Sequence, residues 1–109
     1  MGNIRRLNGK IKSADLVLDY DDKLVLNLEI EGKGWGVIVP SPAFVYHDYS
    51  YKTNVCNKEG TVKFFELLKF FDVKRVDGLK GKIVTCEFEN YNTFRKFIDV
   101  IDDEKTFEW

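Results

Sequence analysis

His47 is the only histidine of the chain, so a Ser-His-Asp or Cys-His catalytic arrangement would have to use it. Asp48 follows it directly, and neighbouring side chains of an extended segment point to opposite sides. Cys56 could approach His47 within the same segment, but an unreactive thiol on a surface loop is the better interpretation. We therefore assign no catalytic residue and predict that the protein is not an enzyme.

Three carboxylates lie close together at Asp19, Asp21 and Asp22. Carboxylate oxygens can bind a hard cation, but the glycine and the glutamate that complete a calcium-binding loop are absent from this stretch. An aspartate-rich hairpin turn explains the cluster better. We predict neither a metal site nor a cofactor.

A glycine-rich segment surrounds Trp35, with glycines at positions 32, 34 and 36. Such a loop binds phosphate when it leads into a helix N-terminus, whereas here strand-like sequence follows. We interpret it as a turn that needs positive φ, with Gly36 allowing a close backbone approach beside Trp35.

Tyrosines give the strongest sign of a binding surface. Three of the five lie in residues 40–60, a stretch without a clear helical or strand period. It is longer than an ordinary connection of about 4–6 residues, and we predict an ordered surface loop there. Tyrosine supplies rigid contact area and a hydroxyl group, which favours interfaces. The predicted partner-binding residues are Tyr46, His47, Tyr49, Tyr51 and Trp35. An alternative, in which the tyrosines fold back to cover the sheet, stays open.

Hydrophobic periodicity assigns the elements on both sides of this loop. Residues 10–19 are strand-like, although their alternation falters near Ala14, and residues 23–31 alternate cleanly as the second strand of a hairpin. Residues 35–39 form a third strand, which Pro40 and Pro42 end. Residues 82–89 form a further strand. The predicted core positions of these strands include Leu24, Leu26, Leu28, Val84, Cys86 and Phe88.

Residues 61–71 read as one amphipathic helix with Thr61 as its N-cap. Its apolar stripe is predicted at Val62, Phe65, Leu68 and Phe71, widened by Phe64 and Leu67. Residues 94–101 are ambiguous. Phe94, Phe97, Ile98 and Ile101 fit the helical spacing, whereas the composition of residues 97–101 suits a strand.

Length and composition place these elements in a single domain spanning residues 1–109. We predict an α+β fold, an antiparallel sheet of four to five strands with the helix packed on one face. The net charge of −1 gives no field that attracts nucleic acid, which makes it an improbable ligand. Residues 87–109 hold seven acidic and three basic side chains, and we interpret them as a solvated face rather than a mimic of a nucleic-acid backbone or a docking site for a basic protein surface.

Two cysteines without metal-binding spacing, no secretory leader and no transmembrane-length apolar run together predict a cytoplasmic protein with free thiols. These features also argue against membrane association.

Several short motifs, in this order, resemble a family of small bacteriophage and prophage proteins of unknown activity. The motifs are Lys10-Ile11-Lys12-Ser13, the acidic pair Asp21-Asp22 with the leucine-rich strand after it, Gly34-Trp35-Gly36 and Leu79-Lys80-Gly81-Lys82. The chain has Lys23-Leu24 where the family usually has histidine and glycine. The resemblance implies a phage setting and an α+β fold, and it favours a strand at residues 97–101. It transfers no catalytic residue.

These observations predict a non-enzymatic binding protein of a phage or mobile element. Its expected role is to inhibit a host protein by contact, for example a defence nuclease such as a CRISPR effector. The alternative is a protein that sequesters a nucleotide signal through Trp35, the glycines and the loop tyrosines, in a homodimer. Both hypotheses are compatible with a homodimer.

Overall fold

The computed structural model describes residues 3–90 and 92–109. In chain order the elements are β1 (Ile4–Leu18), β2 (Lys23–Gly32), β3 (Trp35–Pro40), β4 (Val45–Asp48), β5 (Thr53–Cys56), α1 (Lys58–Phe70), β6 (Ile83–Glu89), β7 (Thr93–Ile98) and β8 (Thr106–Phe107). A short 3₁₀ helix at Val76–Leu79 connects α1 to β6. The fold is α+β, but the predicted count of four to five strands is too low, because eight strands join the sheet in the described part of the chain.

The sheet is antiparallel, with the order β5-β4-β2-β1-β6-β7-β8, and β3 also pairs with β2. β3 and β4 therefore pair with successive parts of the same edge of β2, and Ser41 lies in the segment between them. Its buried hydroxyl accepts a hydrogen bond from the backbone N–H of Leu26 at 2.8 Å and donates to the carbonyl of Pro42 at 2.8 Å. The Ser41 hydroxyl thus accepts from the Leu26 N–H, and the Ser41 N–H donates to the Leu26 carbonyl, so both backbone groups of Leu26 are satisfied between the two strands.

The core lies between the inner face of the sheet and α1. Leu26 and Leu28 of β2 and Val84 and Phe88 of β6 are buried as the alternation predicted, whereas Leu24 is only half-buried. Aromatic rings fill the space against the helix, and the rings of Phe71 and Phe97 lie 5.6 Å apart.

The helix begins three residues earlier than predicted and faces the core differently. Its N-cap is Asn57, not Thr61, whose hydroxyl instead donates to the Asn57 carbonyl at 3.0 Å. Of the predicted stripe, Val62 and Phe65 are exposed. A strict spacing of three residues falls behind the 3.6-residue turn, so such a stripe drifts around the helix. The residues that α1 buries are Gly60, Leu67 and Phe70.

Residues 40–60 are not an irregular loop. They contain the β4–β5 hairpin, whose turn lies at residues 49–52, and the first turn of α1. Each residue of β4 is half-buried, so the strand shows no alternation between an inner and an outer face in its sequence. The prediction of an aperiodic loop is wrong for this reason.

At the other ambiguous segment residues 93–98 form β7, paired with β6, so the strand favoured at residues 97–101 is confirmed for Phe97 and Ile98 and is wrong for residues 99–101. The helical spacing failed because the segment ends in a turn after Ile98, where the Asp99 carboxylate accepts the backbone N–H groups of Ile101 and Asp102. Ile101 is accordingly exposed rather than part of the core.

β1 is longer than predicted and carries a bulge. Its first half, including Leu7 and Gly9, pairs with β6, and its second half pairs only with β2. The register shifts between Ile11 and Ser13, which places one extra residue in β1. This extra residue explains the faltering alternation, because it puts Ala14 on the same face as Ile11. None of the helical segments within the described ranges has the length and apolar character needed to cross a bilayer.

Candidate functional site

An open cleft of about 620 Å³ lies on the sheet where the end of β1, the start of β2 and the β4–β5 hairpin meet. The short pairing of β2 with β4, Lys23 with Tyr46 and Leu24 with Val45, brings the hairpin beside the β1–β2 turn. We call this feature the hairpin cleft. Its lining is Leu18, Asp22, Leu24, Val45, Tyr46, His47, Tyr49 and Asn54.

Two side-chain hydrogen bonds organise the polar part of the hairpin cleft. His47 Nδ1 lies 2.9 Å from Asn54 Oδ1, directly across the hairpin, and the Tyr49 hydroxyl donates to the Asp22 carboxylate. The rings of His47 and Tyr49 meet edge to face with centroids 4.6 Å apart. The hairpin and the β1–β2 turn are thereby joined by side chains as well as by the backbone bond from His47 N–H to the Asp22 carbonyl.

Turn residues hold this arrangement in place on both sides. Asp48 accepts the backbone N–H groups of Ser50 and Tyr51, which fixes the hairpin turn. Asp19 does the same for Asp21 and Lys23 in the β1–β2 turn. This second turn is the acidic cluster seen in the sequence. No group of three or more His, Cys, Asp or Glu side chains in residues 3–90 and 92–109 is placed to hold a metal ion.

The hydrogen bond to Asp22 raises the pKa of Tyr49 above its usual value of about 10, and the nearby charges of Asp22 and Asp21 raise it further. The neutral phenol donates this hydrogen bond. The contribution of the bond to folding stability is therefore complete below about pH 10 and is lost as the pH rises through the raised pKa of Tyr49.

We expect Asp22→Asn to lower the pKa of Tyr49, which can be measured from its ring carbon signal by NMR. Asp21→Asn, which leaves the bond intact, should lower it less, and equal shifts would contradict the bond.

The structure brings three of the five predicted site residues together. Tyr46, His47 and Tyr49 line the hairpin cleft, whereas Tyr51 projects from the turn with 80% of its surface exposed. Trp35 lies opposite Gly32 at the far end of β2, roughly 25 Å along the strand from Leu24. The predicted single surface of tyrosines and Trp35 is thus divided between two ends of the molecule.

Trp35 packs against the sheet, where it also lines a cavity of about 280 Å³ together with Arg5 and Phe88. Its ring meets Phe88 edge to face at 5.7 Å. A Cβ added at Gly32 would lie 2.0 Å from the indole nitrogen, and one at Gly9 would lie 2.9 Å from the ring.

The close approach predicted at Gly36 is wrong, since a Cβ there would meet only the Ile30 carbonyl at 3.6 Å. The turn with positive φ is confirmed at Gly34, φ 79°.

His47 is paired with an amide and not with the residue that the sequence offered as a nucleophile. Cys56 lies opposite Val45, two residues along β5 from Asn54, and its thiol is exposed and free. Cys86 is also free, and burial raises the pKa of its thiol to about 12. The hairpin cleft offers an apolar floor with two phenols, an imidazole, an amide and a carboxylate at its rim.

The acidic C-terminal segment is not solvated throughout. Glu87 is buried on the outer face of the sheet, where Arg6 Nε lies 3.0 Å, Arg95 3.7 Å and Lys96 3.9 Å from its carboxylate oxygens. This residue balances a local group of cations and is not available to dock on a basic surface.

Sequence reasoning missed the apolar part of the site. Leu18 and Leu24 form its floor, and Leu16 lies beside them on the same face because it pairs with Leu26. Leu16 is 53% and Leu18 70% exposed, while Leu26 is fully buried. The apolar alternation of β1 was visible in the sequence, but it could not show that α1 leaves this end of the face uncovered.

Comparison of the chain with known proteins gives no match to a family model, and neither the curated proteins nor the solved structures give a significant match.

Proposed function

We propose that this chain is a non-enzymatic protein-binding module that uses the hairpin cleft and its aromatic rim as the contact surface. The observation that carries the proposal is the uncovered apolar floor, with Leu18 70% exposed beside half-buried Leu24 and Val45. Exposed apolar surface bounded by polar groups is typical of interaction sites. Tyr46, His47 and Tyr49 at its rim supply rigid side chains already held by hydrogen bonds and by the sheet, which lowers the entropy cost of binding.

The biological setting that we propose follows from the sequence resemblance to phage proteins. In that setting the module would act in the cytoplasm of a bacterial host, bind a host protein and inhibit it by occupying a surface. A defence nuclease of the CRISPR type is the target class that we favour. This role needs affinity but no chemistry, which agrees with an imidazole bonded to an amide rather than to a nucleophile.

The sequestering of a nucleotide signal is less well supported by the chemistry of the hairpin cleft. Phosphate groups call for Lys, Arg or backbone N–H groups at a helix N-terminus. The described lining contains the carboxylate of Asp22 and neither Lys nor Arg. A cyclic dinucleotide would therefore meet a charge of its own sign, and we expect none to raise the melting temperature.

The test is capture of a host protein from bacterial lysate, followed by measurement of its affinity for the purified chain. Tyr46→Ala/Tyr49→Ala should weaken binding by about 30-fold or more, since we expect truncation of the two interface aromatics to cost at least about 2 kcal/mol together. The matched control is Ile38→Ala/Ile83→Ala, which removes exposed apolar side chains outside the hairpin cleft.

We expect this control to bind like the wild type, with both variants giving the wild-type circular dichroism spectrum. Unchanged affinity in the tyrosine variant, or equal loss in the control, would contradict the proposed surface. A nucleotide that raises the melting temperature would instead favour the sequestering function.

A further inference from the structure

One edge of β1 lacks a neighbouring strand over its last residues. β6 pairs with the first half of β1 as far as Lys10, and the next backbone bonds join Ile11 to Lys82 and Gly81. From Ser13 to Leu18, no strand among the described residues pairs with this side of β1. We call residues 14–18 the open edge.

The backbone groups of Leu16 and Leu18 are directed toward the open edge. Their partners in β2, Leu26 and Leu24, accept hydrogen bonds on the far side of β2 from the N–H groups of Ser41 and Phe44, both at 2.8 Å. In an antiparallel pair, residues that bond outward on one strand lie opposite residues that bond outward on the other. By the same alternation Ala14, opposite Leu28, also points its N–H and C=O outward.

The open edge lacks the sequence devices that prevent strand pairing, although the 3₁₀ helix at Val76–Leu79 contacts β1. Native edges are blunted by lysine, proline or a bulge. The bulge of β1 lies before this segment, and the segment contains neither proline nor lysine. Its one charge, Asp15, lies on the outer face, whereas Leu16 and Leu18 expose apolar side chains on the inner face.

We propose that the open edge pairs with the same edge of a second copy of this chain, antiparallel about a two-fold axis at Leu16. Leu16 then lies opposite Leu16 of the second copy, and Ala14 opposite Leu18 of the second copy, which makes the inner face of the junction wholly apolar. On the outer face Asp15 lies opposite Val17 of the second copy, so no like charges are opposed. The three outward-directed pairs form about six backbone hydrogen bonds.

The neighbouring registers fit less well, which is why the axis is placed at Leu16. An axis at Ala14 would bring the second copy against Lys10 and Ile11, whose edge β6 and Lys82 already occupy. An axis at Leu18 would put Tyr20, in the β1–β2 turn, opposite Leu16. An axis at Asp15 would set Asp15 opposite Asp15 of the second copy, and an axis at Val17 would set Asp15 opposite Asp19, so both intermediate registers oppose like charges.

This self-complementarity favours a second copy over an unrelated strand. When the open edge is paired with its own reverse, the inner face is apolar and no like charges are opposed, and two-fold dimers are the commonest protein assemblies. The pairing would also join the two inner faces, placing Ala14 of the second copy beside Leu18 in the floor of the hairpin cleft. The inference rests on the backbone edge of β1 and not on the host partner proposed above, although the dimer would cover part of the Leu18 surface that this partner would contact.

Solution mass tests the proposal with the full chain. Light scattering after gel filtration, from low-micromolar to submillimolar chain concentration, should give twice the 12.7 kDa chain mass at the upper end. Leu16→Lys should give a monomer throughout, because it sets two lysines directly opposite each other. Ile83→Lys is the matched control, since Ile83 is a similarly exposed strand residue at 63%, and it should remain dimeric.

Hydrogen exchange keeps the test decisive if Leu16→Lys does not fold. In the wild type, the amides of Leu16 and Leu18 should exchange slowly at high concentration and quickly on dilution, while those of Asp15 and Val17, bonded to β2, stay slow. A monomer over the whole range would overturn the proposal. So would a dimer that survives Leu16→Lys, or one that leaves the amides of Leu16 and Leu18 exchanging at the same rate at both concentrations.

Discussion

Replacing Phe97 with alanine is expected to lower the free energy of unfolding by about 3–5 kcal/mol. Phe97 is fully buried in β7, and its ring lies 5.6 Å from that of Phe71 and 4.8 Å from that of Phe94. These neighbours come from different elements, the end of α1 and the sheet itself, so they cannot close together over the space left by the ring. The total free energy of unfolding of a native domain is about 5–15 kcal/mol, so the variant should be close to unfolding.

Phe65→Ala is the matched control, because it removes the same ring from an exposed position on α1. Phe65 is 56% exposed, and its main contact is the ammonium of Lys69, 4.9 Å above the ring. We expect a loss of about 1 kcal/mol or less in urea denaturation. The sequence-based helix stripe placed Phe65 in the core. Equal losses for the two variants would favour that stripe over the observed packing.

The parts of the fold that were predictable have an apolar face in the core and a mostly polar outer face. In β2 and β6 this contrast gives the sequence an alternation of apolar and polar residues. The core residues Leu26, Leu28, Val84 and Phe88 could therefore be predicted without knowing which residues pack around them. The β4–β5 hairpin lacks the contrast. Its β4 residues are all half-buried and its turn at residues 49–52 contains no glycine, so neither alternation nor turn chemistry marked it.

The candidate site was predictable only in its amino-acid types. Tyrosines in one segment indicated a contact surface, but which of them cooperate depends on the pairing of Leu24 with Val45 and on the bond from Tyr49 to Asp22. Both contacts join residues more than twenty positions apart, which no local pattern encodes. Leu16 is likewise exposed because α1 does not cover this end of the sheet, which no local pattern shows. The sequence-based prediction placed Trp35 in the same site as the tyrosines, but the length of β2 separates them.

A second large effect is expected where α1 begins, since Gly60→Ala should destabilise the fold by about 2 kcal/mol. Alanine in place of glycine usually stabilises a helix by about 1 kcal/mol. Here the new Cβ would lie 2.1 Å from the carbonyl oxygen of Ala43, a backbone atom that cannot rotate away. The same oxygen accepts the Asn57 side chain at 2.9 Å, and moving it also costs that bond. Overpacking of about 1–3 kcal/mol and a lost hydrogen bond of about 1 kcal/mol outweigh the gain in helix propensity.

Gly36→Ala separates this steric effect from the general consequences of replacing glycine. A Cβ at Gly36 has 3.6 Å of room and a strand backbone without positive φ, so we expect stability within about 1 kcal/mol of the wild type. Ala43 lies just before Phe44 and β4, so a shift of its carbonyl is passed on to the hairpin that carries His47 and Tyr49. Gly60→Ala should therefore also move the NMR signals of these two rings, which Gly36→Ala should not. If Gly60→Ala proved more stable than the wild type, helix propensity would outweigh contact with Ala43, and α1 would not be seated as closely on this segment as described.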